Sequence, residues 1–524
     1  MSLPSEADIL VIGSGNSGFS AAISAAQSSS SSARIVLIDK CPESWSGGNS
    51  YFTAGAMRTA HTGLNDLLPV VNNVDADLAK VIDLPPYRTT DFEKDIRRIC
   101  AGRSDPELSK ILIGDSREAI QWLKDVVGVR FQLSFNRQAF LVDGRHKFWG
   151  GLALKTEDGG KGLIEDHKRA ARQHGVDVYY QTAAKELHTD PRTGGITKVT
   201  VIHKGEPKDI HTKAVILAAG GFESNARMRT QYLGPGWDLA YVRGTPFNTG
   251  DCLEMAIRDV AAKQAGNWSG CHATCWDANA DPDTGNREIS NEFTKSGYPL
   301  GVMINTTGER FVDEGIDFRN YTYAIFGRAI LQQPEGAAFQ VWDSNMIPWL
   351  RSEEYRDGIV KKIYGNTIDE LAENCTAEGL KNKDQFIKTL KEYNNAVYEH
   401  RKEYPRAKWD PAIKDGVSTQ SSSTKLALPK SNWALPIDKG PFLAVKVTGG
   451  ITFTFGGLAV NPETAAVISS ATSAEIPGLY SIGEMLGGLF YGNYPGGSGL
   501  TSGAVFGRRA GKAAAASIRV QSRL

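Results

Sequence analysis

Four consecutive apolar residues, Ile9-Leu10-Val11-Ile12, form the first patterned segment and read as a strand buried on both faces. The cluster Gly13-Ser14-Gly15-Asn16-Ser17-Gly18 follows, then the small, helix-compatible run Phe19 to Ala26. A second apolar run, Ile35-Val36-Leu37-Ile38, ends in Asp39. The pattern predicts strand, turn, helix, strand, with G-x-G-x-x-G at the turn and an acid 21 residues after the third glycine. Gly13 makes the tight turn, Gly15 lets the backbone approach a pyrophosphate, and Gly18 lets the helix lie close to the sheet. The helix N-terminus then faces the phosphates, and Asp39 would accept hydrogen bonds from a ribose diol. Dinucleotide binding is the expectation, with an unphosphorylated adenosine ribose.

Four more glycine clusters recur along the chain. Ser46-Gly47-Gly48-Asn49-Ser50 and Ala54-Gly55-Ala56 follow the second strand. The run Ala214 to Leu217 leads through Ala218-Ala219 into Gly220-Gly221-Phe222. Gly478-Leu479-Tyr480-Ser481-Ile482-Gly483-Glu484 is another strand that meets glycine. Tyr494-Pro495-Gly496-Gly497-Ser498-Gly499-Leu500-Thr501 opens a small-residue helix from Ala504 to Ser517. Glycine numbers 55 of 524 residues, above the usual share of about 7%. Lys plus Arg and Asp plus Glu both number 59, a balance that argues against a nucleic-acid partner. No apolar run reaches the roughly 18 residues of a membrane span, and Met1 to Asp8 has no basic n-region of a signal peptide. The six scattered cysteines suit a reducing compartment. Cys271-His272 with Cys275 lacks a second ligand pair, so no metal is expected.

Together the clusters resemble the FAD-binding signatures of the fumarate reductase/succinate dehydrogenase flavoprotein family, in that family's order and over nearly the whole chain. Segments 308–321 and 451–457 are similar to the branch that dehydrogenates tricarballylate to cis-aconitate. The Tyr494-Pro495-Gly496 turn is shared with the more distant 3-ketosteroid dehydrogenases. The resemblance implies an α/β fold: a Rossmann-type, GR2-like FAD-binding domain with an inserted α+β capping domain. The flavin domain is expected at 1–245 (with a helical excursion at 64–145) and 440–524, and the cap at 246–439. The site would be a cleft between the two.

The same resemblance implies the flavin contacts. Gly13, Gly15, Asn16, Ser17, Gly18, Asp39 and Lys40 would hold the adenosine half; Gly47, Gly48, Asn49, Ser50, Ala54 and Gly55 the phosphates and ribityl. Ala219, Gly220, Gly221, Asp251 and Gly483 complete the cradle, Glu484 binds the ribityl chain, and Gly497, Ser498, Gly499, Leu500 and Thr501 lie beneath the pyrimidine edge. Covalent members attach flavin through a histidine where Asn49 stands, so non-covalent FAD is expected.

For the chemistry, Arg319 matches the family's proton-shuttle arginine, one residue further from Glu314 than in fumarate reductases. The alternatives are a salt bridge from Arg319 to Asp313, Glu314 or Asp317, with Tyr321 or Tyr323 as acid/base. Thr452 stands for a substrate-binding histidine and Tyr494 for a substrate-binding arginine, which makes fumarate itself a poor substrate. His272 matches another substrate histidine; Arg58 and Lys295 are candidate replacement anchors for carboxylates. Tyr494, with backbone N–H groups at Gly497 and Ser498, would polarise the electron-withdrawing group.

Three activities follow. The leading expectation is dehydrogenation of tricarballylate, with a small-molecule substrate and an electron acceptor or donor of unassigned identity. The second is reduction or desaturation of a less charged carbonyl compound, such as a steroid-like ring. The third is the flavoprotein subunit of an electron-transfer complex. Ser522-Arg523-Leu524 resembles a peroxisomal address, with the cytosol as the alternative.

Overall fold

The apolar runs pair as neighbours in one twisted sheet. A computed structural model describes residues 2–521. In chain order its first unit contains β1 (Glu6–Ile12), α1 (Asn16–Ser28), β2 (Ile35–Ile38), α2 (Gly48–Tyr51), α3 (Thr89–Ile99), α4 (Pro106–Trp122) and α5 (Gly159–Gln173). Then come β3 (Asp177–Tyr179), β4 (Thr182–Thr189), β5 (Ile196–His203), β6 (Glu206–Leu217), α6 (Asp251–Val260), β7 (Ala466–Ile468), β8 (Glu475–Ser481) and α7 (Ser498–Gln521). The sheet runs β4-β5-β6-β1-β2-β3, with β8 beside β6 and β7 beside β8. β6, β1, β2 and β3 are parallel neighbours, as are β6 and β8; β4, β5 and the outer part of β6 form an antiparallel meander.

Alternation along the strands divides two cores. Ile9, Val11, Ile35, Leu37, Ala214 and Ile216 face α1, α4, α5 and α7. Leu10, Ile12, Val36, Ile38, Val215 and Leu217 face the other way, toward Leu253, Met255 and Ala256 of α6 and Val199 and Val201 of β5. Both faces are covered, which is why these strands read as unbroken apolar runs.

Glycine sets the spacing. Gly13 has φ +113°, and a Cβ there would lie 2.3 Å from the Ala218 carbonyl oxygen. Gly503, Gly507 and Gly511 recur every four residues along α7 and lie against α1. A Cβ at Gly507 would sit 2.8 Å from the Ser17 carbonyl oxygen, and one at Gly511 2.5 Å from that of Ala21. Ser24 Oγ donates across this contact to the Arg508 carbonyl at 2.9 Å.

The second unit comprises Gly234–Arg243 and His272–Thr452. Its sheet pairs Val302–Asn305 with Ala337–Trp342, and the latter with the strand that starts at Phe442, which Lys362–Gly365 flanks on the other side. Val302, Ile304, Phe339 and Val341 pack with Leu371, Phe386 and Leu390 of the helices Ile368–Thr376 and Lys383–Glu403. Met303, Ala338, Trp342 and Val445 pack on the opposite face with Phe326 and Ile330 of the helix Arg319–Leu331. The second unit thus layers helices on both faces of a mostly antiparallel sheet.

The division falls elsewhere than at 245/246 and 439/440. Residues 244–271 belong to the first unit, because α6 buries Cys252, Leu253, Met255 and Ala256 in that unit's core. The second unit extends to Thr452 because the strand from Phe442 is built into its sheet. The 64–145 excursion does hold α3 and α4, but also short strands such as Phe131–Leu133 and Ala139–Val142.

Candidate flavin and substrate site

At the glycine turn, Ser14 donates to Asp39 Oδ2 from both its backbone N (2.8 Å) and its Oγ (2.7 Å), and Cys41 N donates to Oδ1 at 3.0 Å. The carboxylate is thereby aimed from the end of β2. Beside it lies an open groove of about 450 Å³ lined by Lys40, Pro42, Gln181, Ala183, Ile202, Lys204 and Gly205. Lys40 Nζ donates to Thr249 Oγ1 at 2.5 Å and Asp251 Oδ2 at 2.7 Å, so those two expected contact residues are an ion pair tying β2 to α6.

The N-terminus of α1 has no acidic residue in its first turn and no side-chain cap. A Cβ on Gly15 would meet only Ser50 Oγ and the Gly47 carbonyl at 3.6 and 3.7 Å, and one on Gly48 only Gly15 at 3.9 Å. This open, N–H-lined cradle fits a pyrophosphate. Asn16 secures it: Nδ2 donates to the Leu500 carbonyl at 2.9 Å and Oδ1 pairs with His167 Nε2 at 3.0 Å. His167 is buried among apolar groups, which pulls its pKa down to about 3 and keeps it neutral. Since the Asn16 amide donates to Leu500, the assigned tautomer has His167 Nε2 donating.

Asn49 is latched on both sides. Nδ2 donates to Glu223 Oε1 at 2.9 Å and Oδ1 accepts from Thr245 N at 2.8 Å. Glu484 is half-buried, and its Oε1 accepts from Thr454 N at 2.6 Å and Thr454 Oγ1 at 2.9 Å. A Cβ on Gly221 would fall 2.2 Å from this oxygen. Glu223 is 0% exposed, and burial beside Glu484 raises its pKa well above the ordinary value.

At the start of α7, Ser498 Oγ and N both donate to the Pro495 carbonyl, at 2.5 and 3.1 Å. The Ser498 N–H therefore serves the turn, and the expected pair of polarising N–H groups at Gly497 and Ser498 is not formed. Tyr494 stands in a box with Phe453, Phe455 and Phe490, all six ring pairs 5.2–6.2 Å apart and mostly edge-on. Phe453 and Tyr494 are half-buried, so the box has an open wall.

Two expected substrate anchors are used internally. Arg58 is 0% exposed; Nε donates to the Gly496 carbonyl at 2.9 Å, and Nη1 to Tyr87 OH at 2.8 Å and Asp95 Oδ2 at 3.0 Å. It staples the Tyr494–Gly497 turn rather than presenting charge to a ligand. In the second unit, Lys295 is also 0% exposed; Nζ donates to the Glu292 carbonyl at 2.6 Å and lies 3.4 Å from Asp277 Oδ2. Burial lowers its pKa to about 8. Neither cation is available as a carboxylate anchor.

His272 is buried, and burial together with the Arg243 charge holds its pKa near 3. Thr452 is buried at the end of the unit's sheet strand. Arg319 is half-buried at the first position of its helix. Of its candidate carboxylate partners, Glu314 is taken by Arg310 (Nη2 to Oε2, 2.5 Å) and by Met303 N (2.7 Å), and Asp313 accepts from Gly315 N and Ser431 N. Tyr321 is 7% exposed. The Tyr323 side chain and Ser522-Arg523-Leu524 lie outside the described residues. Among the described residues no helix is long and apolar enough to cross a membrane, and no group of three His, Cys, Asp or Glu side chains could hold a metal.

The profile of a family described as "FAD binding domain" matches residues 8–500. The chain belongs to this FAD-binding family. It is 27% identical over 514 residues to the probable fumarate reductase Ifc3 of Shewanella frigidimarina, covering 98% of this chain and 75% of that protein. It is 27% identical over 528 residues to a urocanate reductase of Eggerthella lenta, covering 98% and 75%. The open conformation of a flavocytochrome c3 fumarate reductase superposes with a TM-score of 0.71 at 25% identity, covering 98% of this chain and 78% of that one. The α/β fold expected from the sequence is that fold.

For this FAD-binding protein, sequence reading missed Glu223, Thr454 and His167. A glutamate directly after Gly220-Gly221-Phe222 was a signal for Glu223. Nothing in the sequence ties His167, on the buried side of α5, to Asn16 some 150 residues earlier.

Proposed function

We propose that this flavoprotein is a CH–CH oxidoreductase that interconverts a single and a double bond beside a carbonyl or carboxyl group, on a ring-bearing, weakly charged substrate. The observation that carries the substrate class is the aromatic box of Phe453, Phe455, Phe490 and Tyr494, together with the internal use of Arg58 and Lys295. Flat rings stack on such walls, whereas a tricarboxylate needs cations that these two residues do not offer. FAD, held without a covalent bond since Asn49 offers no nucleophile, supplies the two-electron acceptor or donor that exchanges hydride with one substrate carbon. Arg319 is assigned the proton on the adjacent carbon, with Tyr321 the alternative. A guanidinium has no site for a second proton: in the reductive direction it gives a proton to substrate and regains one from solvent, and in the oxidative direction it must first lose a proton to solvent and then takes the substrate's. The Tyr494 hydroxyl is assigned to polarise the electron-withdrawing group, and His272 and Thr452 to line the substrate pocket as neutral groups. Urocanate, named by one relative, is itself a ring-bearing unsaturated acid.

The resemblance of segments 308–321 and 451–457 favours a second reading, oxidation of tricarballylate to cis-aconitate. The test is anaerobic. The reduced, FAD-loaded protein is mixed with aryl acrylates, cyclic enones, fumarate and cis-aconitate, and the oxidised protein with tricarballylate. Reoxidation by ring compounds alone is expected; bleaching by tricarballylate overturns the ring reading in favour of the second.

A further inference from the structure

The mechanism above leaves one pair of acids unused. Glu223 lies just beyond β6, its main-chain carbonyl accepting from Arg229 Nη1 at 2.5 Å and the preceding Phe222 ring stacked on Trp268 at 5.9 Å. Its Oε1 accepts from Asn49. Its Oε2 is buried and makes no well-formed hydrogen bond among the described residues, with the Asn248 amide and the Glu484 carboxyl beside it. A buried carboxylate oxygen without a well-formed hydrogen bond is costly, and two neighbouring carboxylates do not both ionise readily there. One shared proton removes both penalties. Glu484 already receives the Thr454 N–H and hydroxyl and the Gly221 N–H, so the proton resides on Glu223. The charged groups that face the pair are the two acids themselves and Arg229, whose guanidinium is turned to the Glu223 carbonyl rather than its side chain.

We infer that Glu223 is a positioning residue of the flavin site: it holds the single proton of the Glu223–Glu484 pair, fixes Asn49 and keeps Glu484 an anionic acceptor for the ribityl hydroxyls, so that FAD binding is tied to that proton. The inference rests on the ribityl chain meeting Glu484, as the family resemblance implies. Ionising Glu223 adds a second buried negative charge beside Glu484, and affinity falls as pH rises through the upper titration of the pair.

The test measures FAD affinity of the full-length apoprotein by flavin fluorescence quenching from about pH 6 to 10, the range in which buried glutamates titrate. Wild-type affinity is expected to be flat on the acid side and then to weaken by about tenfold per pH unit, the slope of a single linked proton. Glu223→Gln reproduces the shape and the donor of the protonated acid, so it should bind as tightly at neutral pH and lose the alkaline fall. A flat wild-type profile, or an unchanged fall in E223Q, overturns the inference. Infrared spectroscopy of the wild type needs no variant: a protonated-carboxyl carbonyl band at neutral pH is expected, and its absence overturns the shared proton. Glu484→Ala separates the underlying placement. Unimpaired FAD binding by E484A overturns the link to FAD, even where the infrared band persists.

Discussion

Replacing Arg58 by alanine distinguishes a structural staple from a substrate anchor. The guanidinium is fully buried, and its backbone joins the same turn: Arg58 N donates to the Gly497 carbonyl at 3.3 Å, and its own carbonyl accepts from Thr501 Oγ1 at 2.7 Å. The side chain adds the Gly496 carbonyl, Tyr87 OH and Asp95, with the Tyr87 ring 5.4 Å from Cζ. Removing one partner of a buried ion pair costs about 3–5 kcal/mol. The Asp95 side chain is 14% exposed and keeps the Tyr87 hydroxyl at 2.7 Å, so the lower end, about 3 kcal/mol, is expected. That is a loss of roughly 100-fold in the folding equilibrium. Urea unfolding of the apoprotein should show it as a lower midpoint at unchanged slope. FAD affinity should fall too, because the turn that starts α7 loses its tether at Gly496. Arg58→Lys should recover only part, since an ammonium cannot reach Gly496 and Asp95 in a fixed fork. An R58A protein within 0.5 kcal/mol of wild type, FAD-loaded and defective only in KM, would refute the staple and restore the anchor.

Gly511→Ala should destabilise by about 1–3 kcal/mol, because its Cβ meets the Ala21 carbonyl oxygen at 2.5 Å and Ala25 N at 2.8 Å, both backbone atoms; thermal unfolding checks this, and a neutral effect would mean that α1 and α7 separate freely. The neutral, buried His167 makes stability acid-sensitive. Its folded pKa of about 3 lies below the ordinary 6.5, so its contribution is complete above pH 6.5 and is lost as pH falls toward 3. At pH 5 the loss is about 2 kcal/mol, and urea titrations at pH 5 and 7.5 should show a smaller difference in His167→Gln. Arg319→Ala should lower turnover by about 10²–10⁴-fold with FAD retained; stopped-flow flavin reoxidation measures it, and surviving turnover moves the role to Tyr321.

The sheet was legible because parallel strands covered on both faces must be continuous apolar runs, and Ile9 to Ile12, Ile35 to Ile38 and Ala214 to Leu217 are such runs. The C-terminal helix was legible from its run of small residues, although the four-residue spacing of Gly503, Gly507 and Gly511 that sets its contact with α1 emerges only in the fold. The unit boundaries were not. Nothing local in residues 244–271 says that α6 buries its apolar face beneath β4 and β5, since an amphipathic helix reads the same in either unit. The strand from Phe442 is likewise apolar throughout, and only its pairing with Ala337–Trp342 assigns it to the second unit's sheet.

In the site, what sequence conveyed was residue type at a motif position, and what it withheld was whether a charge is already spent. Arg58 and Lys295 were plausible anchors because cations bind carboxylates, yet each finds its carboxylate or carbonyls within its own unit, at Asp95 and Gly496 or at Asp277 and Glu292. Pairing of this kind depends on which residues the fold brings near, from 3 positions away for Glu292 to 438 for Gly496. It bears on function all the same, because a cation consumed by the fold is not available to a ligand. Glu223 is the converse case: an acid with no cation partner among the described residues, whose burial beside Glu484 favours keeping a proton, and a kept proton is a chemical property that no motif position records.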